Sequence, residues 1–235
     1  MPTPRPRFQL HLVTEPRRSA DELLRAVASA LDGGVDWVQL RNKSASAAAL
    51  HADAVLLLET VREHAARLAI NDRLDVALAV GADGVHLAGQ SLPVDAAVNV
   101  AAGRVLVGRS VHSLPEAIQA ASAGADYVTF GHVFPTTSHP GLPPRGLDEL
   151  REIVNAVDVP VLAIGGITVD NLASVLATGC AGIAVISAIL SDADPAAAAT
   201  RLRGGLDSSS HRPRHPFPTR AQRQPDETHR QPTAV

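Results

Sequence analysis

Side chains suited to proton transfer and anion binding crowd the stretch from Gly108 to Gly146, which contains Ser110, His112, His132, Thr136, Thr137 and His139. Imidazole takes up and releases protons near neutral pH, and hydroxyls hydrogen-bond to anions. Two β-type runs, Val105 to Ser110 and Tyr127 to Val133, enclose a helical segment here, and each ends in polar residues and glycine. In a parallel α/β sheet the C-terminal strand ends face the open mouth, so these side chains are expected to converge on one site. His112 lies just past the first run and is the natural proton carrier; the competing reading is a histidine at a surface or a helix start. His86 lies within a strand pattern and reads as a hydrogen-bonded core residue.

Other strand ends carry complementary chemistry. Gln39-x-Arg41-x-Lys43 closes a strand with all three side chains on one face, and its two cations suit an anionic substrate. Gly165-Gly166 and Ile186-Ser187 each follow a strand and lead into a helix, where free backbone N–H groups commonly bind phosphate. Thr136 and Thr137 would add hydroxyl donors. Asp72, after Asn71, is either a metal ligand or the N-cap of a helix beginning near Arg73. There is no Ser-His-Asp order, no Cys-x-x-Cys pair and no glycine-rich dinucleotide fingerprint.

The elements that must position these groups follow from a repeat. Glycine, a short polar or small pair and then a strand recur at Gly34, Gly81, Gly124 and Gly179, with one further strand pattern inside each interval. Together with Phe8 to Val13 this predicts eight βα units, which close most naturally as a (βα)8 TIM barrel, an open doubly wound sheet being the alternative. A chain of 235 residues with 46% hydrophobic content suits one such domain, and only 3% aromatic residues leaves Ala, Val, Leu and Ile to build the core. The barrel is expected over residues 1–203. Residues 204–235 are rich in Pro, Ser, Arg, Gln and His and read as a disordered tail.

A net charge of −3 argues against a nucleic-acid partner, and no apolar run is long enough for a membrane span. The single cysteine, Cys180, excludes a disulfide framework, and the N-terminus lacks the apolar segment of a secretion signal. A cytoplasmic protein is expected. The oligomeric state stays open, a homo-oligomer included.

Seven motifs together carry a resemblance: Gln39-x-Arg41-x-Lys43, Asn71-Asp72, Gly81 to Leu87, Gly124 to Val128, Phe130-Gly131, Ala163 to Ile167 and Gly182 to Ser187. Over nearly all of Phe8 to Leu202 the chain resembles the superfamily of thiamine phosphate synthase and the thiazole tautomerase TenI, which are phosphate-binding (βα)8 barrels. In the synthase branch, magnesium is held by the aspartate matching Asp72 and a second at the position of Ser91, and a Thr-x-Thr-Lys loop stands where this chain has Thr136-Thr137-Ser138-His139. Gly108 to Ser113 and Phe130 to Phe134 look like the tautomerase, in which the histidine matching His112 is acid and base.

The resemblance thus implies a thiazole tautomerase that needs no metal or organic cofactor and isomerises a dihydrothiazole carboxylate phosphate to the aromatic 2-carboxythiazole phosphate. Gly165, Gly166, Ile186 and Ser187 would hold the phosphate with help from Thr136 and Thr137. Arg41 or Lys43 would pair with the carboxylate, and Gln39, Asn71, Ser110 and His132 would complete the substrate pocket. The alternative is thiamine phosphate synthase, the magnesium-dependent condensation of hydroxymethylpyrimidine diphosphate with thiazole phosphate, since Gln39, Arg41, Lys43, Asn71 and Asp72 keep its pattern. A phosphate-ligand-binding regulator without turnover is the alternative from another class.

Overall fold

Eight parallel strands alternate with helices and close on themselves in the computed structural model, which describes residues 7–16, 19–138 and 140–217. The strands are β1 Gln9–Val13, β2 Trp37–Leu40, β3 Arg67–Asn71, β4 Gly84–Leu87, β5 Leu106–Val111, β6 Tyr127–Gly131, β7 Val161–Ile164 and β8 Gly182–Val185. Each pairs with its neighbours in sequence, and β8 returns to β1, with Leu10 opposite Ile183 and His11 opposite Ala184. The helices are α1 Ala20–Asp32, α2 Ala47–Glu63, α3 Leu74–Val80, α4 Val94–Ala101, α5 Leu114–Ser122, α6 Gly146–Ala156, α7 Val169–Leu176, α8 Ser187–Leu190 and α9 Pro195–Asp207. The expected barrel is the observed one.

Strand alternation separates two jobs. Leu10, Leu12, Val38, Leu40, Leu68, Ile70, Val85, Val107, Val128, Phe130, Ile183 and Val185 belong to the large core between barrel and helices. The helices meet them with apolar stripes. In α1, Leu23, Val27, Ala30 and Leu31 are buried, and the Ser19 side chain caps the helix by accepting from the Glu22 N–H at 3.2 Å. A smaller cluster of Trp37, Ala69, Leu106, Tyr127, Leu162, Ala181 and Phe217 fills the N-terminal end of the barrel.

The glycine repeat has a physical basis. Gly81 ends α3 in the left-handed conformation at φ 67°. The aspartate two residues on then ties its own strand to the previous one, because the Asp83 carboxylate accepts from the Leu68 N–H at 3.0 Å while the Asp83 N–H donates to the Leu68 carbonyl. Asp36 does the same to Leu10 and Asp126 to Val107, each with a carboxylate contact of 2.7 Å. The fourth copy carries Ala181 and keeps only the backbone bond, to Val161.

Residues 204–217 differ from expectation. α9 runs past Arg203 to Asp207; Arg203 is buried, donating to the Phe8 carbonyl at 3.1 Å and to Asp36 at 3.0 Å, while Asp207 accepts from its other nitrogen at 2.6 Å. Residues 208–217 continue beneath the barrel, Arg214 N–H bonding the Gly179 carbonyl, and Phe217 enters the floor. Its ring centroid lies 5.1 Å from Tyr127 and 5.2 Å from His11. Residues 204–217 therefore belong to the folded unit; composition hid this because one phenylalanine and one helical turn suffice to anchor a polar segment. The remaining residues expected as tail, 218–235, lie outside the described residues. Among those described, no helix is long and apolar enough to cross a membrane.

Candidate functional site

The C-terminal strand ends surround a cavity of about 590 Å³. Gln39, Arg41, Lys43, Asn71, Ser110, His112, His132, Thr136, Gly165, Gly166, Ile186 and Ser187 all line it, whereas Thr137 does not. The mouth was legible in the sequence because strand ends in a parallel barrel share one direction.

Polar side chains link adjacent strands around one side of the rim. Thr14, buried at the end of β1, accepts the Arg41 N–H at 2.9 Å and so sets the start of the loop that carries Arg41 and Lys43. Gln39 donates to Asn71 at 3.0 Å, and Asn71 donates to the Asp72 carboxylate at 2.6 Å. Asp72 in turn accepts the Ala88 N–H at 2.9 Å and the Ser91 hydroxyl. Of the two roles foreseen for it, that of helix cap is not the one observed. Arg73 occupies the N-cap of α3 with no side-chain cap, and Asp72 instead clasps the loop after β4.

That arrangement bears on magnesium. The family site needs two carboxylates, whereas here one carboxylate faces a serine, both Asp72 oxygens already accept hydrogen bonds, and neither Asp72 nor Ser91 lines the cavity. A hard dication prefers several anionic or carbonyl oxygens free to coordinate, and no group of three His, Cys, Asp or Glu among the described residues offers them. The donor set does not fit the two-aspartate magnesium site.

On the far side of the mouth, Gly165 and Gly166 have φ of 97° and 66°, which side-chain-bearing residues rarely adopt. A Cβ at Gly165 would also run into His132, and one at Gly166 into Phe134 and the Pro135 carbonyl. The loop after β6 is zipped onto this turn by the Val133 and Phe134 N–H groups, which donate to Ile164 and Gly165 carbonyls. Ile186 is the N-cap of α8 and makes no side-chain cap, and Ile186, Ser187 and Ala188 line the cavity. Backbone N–H groups at these two turns suit a phosphate.

His112 lines the same cavity as Arg41 and Lys43 and as the two turns. Its Nδ1 lies 2.8 Å from the Gly131 carbonyl, which can only accept, so Nδ1 carries the proton and the neutral ring keeps an unprotonated Nε2. Its backbone N–H donates to Glu116 at 2.7 Å. His132 is buried and its Nε2 lies 3.3 Å from the Leu142 carbonyl. His139 lies outside the described residues.

Some lining residues escaped the sequence reading. His86 reaches the cavity while remaining buried, with Nε2 2.8 Å from Ser110 Oγ and Nδ1 3.2 Å from the Tyr127 hydroxyl. Burial, partly offset by the Asp72 charge, lowers its pKa to about 4, so it is neutral at physiological pH. Glu15, Thr129, Ser138 and Thr168 also line the cavity. The signal for Thr129 was available, since it lies two residues from Tyr127 and Gly131 on the inward face of β6.

The whole barrel has known counterparts. The family model described as thiamine monophosphate synthase matches residues 10–189. A thiamine-phosphate synthase of Roseiflexus castenholzii is 44% identical over 205 residues, covering 86% of this chain and 90% of that protein. One from Chlorobium limicola is 43% identical, covering 85% and 94%. The solved structure of a thiamine phosphate pyrophosphorylase from Pyrococcus furiosus superposes with a TM-score of 0.78 at 40% identity, covering 85% of this chain and 96% of that one.

These relatives overturn the expected thiazole tautomerase, because proteins this similar over most of their length are named as synthases. That expectation weighed Ser91 and the segments around His112 and His132 above the rest of the mouth, where Gln39, Arg41, Lys43 and Asn71 keep the synthase pattern. With its barrel matched almost from end to end, the chain belongs to the thiamine monophosphate synthase family, TMP-TENI.

Proposed function

We propose that this protein is a transferase of thiamine biosynthesis that joins hydroxymethylpyrimidine diphosphate to thiazole phosphate. The thiazole nitrogen forms a bond to the exocyclic methylene carbon of the pyrimidine as that carbon's bond to oxygen breaks, and diphosphate leaves with the bonding pair. The observation that carries the reading is a single cavity with two separate anion-binding ends. Arg41 and Lys43 follow β2, while Gly165, Gly166 and the start of α8 follow β7 and β8, and β7 lies three strands from β2 around the barrel. One anion-binding end would serve a single phosphorylated substrate; two suit a pair. A volume of about 590 Å³ is within the usual range for small-molecule sites.

In this reading the cationic end binds the diphosphate, with Arg41 offering a planar pair of donors to the leaving group as its charge grows. The glycine turns bind the thiazole phosphate, assisted by Thr136. Gln39 and Asn71, held together by their own hydrogen bond, present amide groups to a heteroaromatic ring. His112 presents Nε2 as a hydrogen-bond acceptor in the same cavity and Ser110 adds a hydroxyl. The similarity to relatives named as synthases supports the same reading.

The test is to incubate purified protein with both substrates, with and without magnesium, and to follow thiamine phosphate and released diphosphate. Equal amounts of both products are expected. Absence of both products in both conditions would sink the proposal.

A further inference from the structure

Three side chains inside the barrel form a line from the cavity into the floor. Ser110 Oγ meets His86 Nε2 at 2.8 Å, and His86 Nδ1 meets the Tyr127 hydroxyl at 3.2 Å. Tyr127 is 1% exposed and its ring lies among those of His86, His11 and Phe217, with centroids 5.6, 6.2 and 5.1 Å away. Gly108 makes room for it, since a Cβ there would overlap the phenol. Among the described residues, the Tyr127 hydroxyl has no hydrogen-bond partner other than His86.

We propose that Tyr127 and His86 are positioning residues that fix the Ser110 hydroxyl as a hydrogen-bond donor into the cavity, where it reads an acceptor atom of the bound substrate. A neutral imidazole has one N–H, so the line has two directions. If Nδ1 carried the proton, Tyr127 would accept it and its own O–H would be stranded in an apolar floor, while Ser110 would spend its proton inward on Nε2. If Nε2 carries the proton, Tyr127 donates to Nδ1, His86 donates to Ser110 Oγ, and the serine proton is the one left to point outward. Only the second arrangement leaves no buried donor unmade, and an unmade buried donor is the costlier fault. The floor therefore sets the polarity of a group at the mouth. This inference deepens the proposed function by giving Ser110 a defined donor role, but the direction of the line belongs to the free protein and does not depend on which substrates bind.

The decisive measurement is a long-range ¹H–¹⁵N correlation spectrum of the wild-type protein with ¹⁵N-labelled histidine, the His86 signals being identified by their loss in His86→Gln. The Nε2–H tautomer is expected, and the Nδ1–H tautomer would reverse the line and overturn the proposal. In the condensation assay, Ser110→Ala should lower kcat about 20-fold and Tyr127→Phe about fivefold, with KM for either substrate within about threefold. The double variant should be no slower than Ser110→Ala alone, because Tyr127 acts only through Ser110. Losses that multiply to about a hundredfold would overturn the positioning role. If the wild-type protein makes no thiamine phosphate, the functional reading fails while the tautomer still decides this one.

Discussion

The two ends of the barrel use the same eight strands for opposite purposes. At the mouth, inward side chains are amides, hydroxyls, imidazoles and cations around an open cavity. At the floor they are Trp37, Leu106, Tyr127 and Leu162, with His11 stacked 5.3 Å from Trp37 and Phe217 pressed in from below. The loops obey the same division. Those at the floor are pinned by the Asp36, Asp83 and Asp126 carboxylates to neighbouring strands, whereas those at the mouth carry Arg41, His112, Thr136 and the glycine turns. Stability is concentrated where water is excluded, which leaves the mouth free to hold polar groups that add little to folding.

Changes at the floor should therefore cost stability and changes at the mouth should cost chemistry. The largest effect is expected from truncation after Arg203, which removes the buried Leu206 and Phe217 and the Asp207 partner of Arg203. It should lower the unfolding free energy by roughly 5 kcal/mol in urea denaturation. A loss below about 1 kcal/mol would mean that the segment beneath the barrel is ornamental.

Acid should act next, on the two buried imidazoles between the floor and the mouth. Burial lowers the pKa of His86 to about 4 and that of His11 in the same direction. Between the ordinary histidine pKa of about 6.5 and that depressed value, the unfolded chain binds protons that the folded chain refuses, so stability is lost as pH falls through this window. His86 alone should account for roughly 3 kcal/mol, and His86→Gln should flatten the curve of unfolding midpoint against pH. An unchanged slope in that variant would place the acid sensitivity elsewhere.

At the mouth, Arg41→Ala should reduce kcat/KM for the diphosphate substrate about a hundredfold while leaving the melting temperature within about 2 °C of wild type. A matching fall in stability would blur the division between the two ends. The smallest effect concerns the clasp at Asp72. Asp72→Asn should cost about 1 kcal/mol, because the Ala88 N–H and Ser91 hydroxyl lose a charged acceptor. Titration with manganese, read by electron paramagnetic resonance, should show no Asp72-dependent binding in the wild-type protein and some gain in Ser91→Asp. Tight manganese binding that disappears in Asp72→Asn would restore the metal-ligand role.

Much of this was legible in the chain itself. The recurrence at Gly34, Gly81, Gly124 and Gly179 announced the βα units because each must solve the same turn, and strand direction alone placed Gln39, Arg41, Lys43, Asn71, Ser110, His112 and Gly165 at one mouth. What resisted was anything that depends on partners remote in sequence. Asp72 looked like a helix cap because a helix begins near Arg73, or like a metal ligand by resemblance, yet besides its neighbour Asn71 its partners are Ala88 and Ser91. His86 looked like an ordinary core residue until Ser110 and Tyr127 were found on either side of it.

The sequence by itself determined the eight βα units, the direction of their strands and the family, since these rest on local periodicity and on motifs that repeat or match along the chain. Only the tertiary structure decided that the sheet closes, that residues 204–217 join the folded unit and how the floor reaches the mouth. Phe217 is one apolar residue in a polar segment, and its value lies in the space left between His11, Trp37 and Tyr127, which exists only once the strands have closed. Local pattern can specify an element, but a cavity, a plug or a hydrogen-bonded line is a relation between elements, and it becomes definite only when packing brings them together.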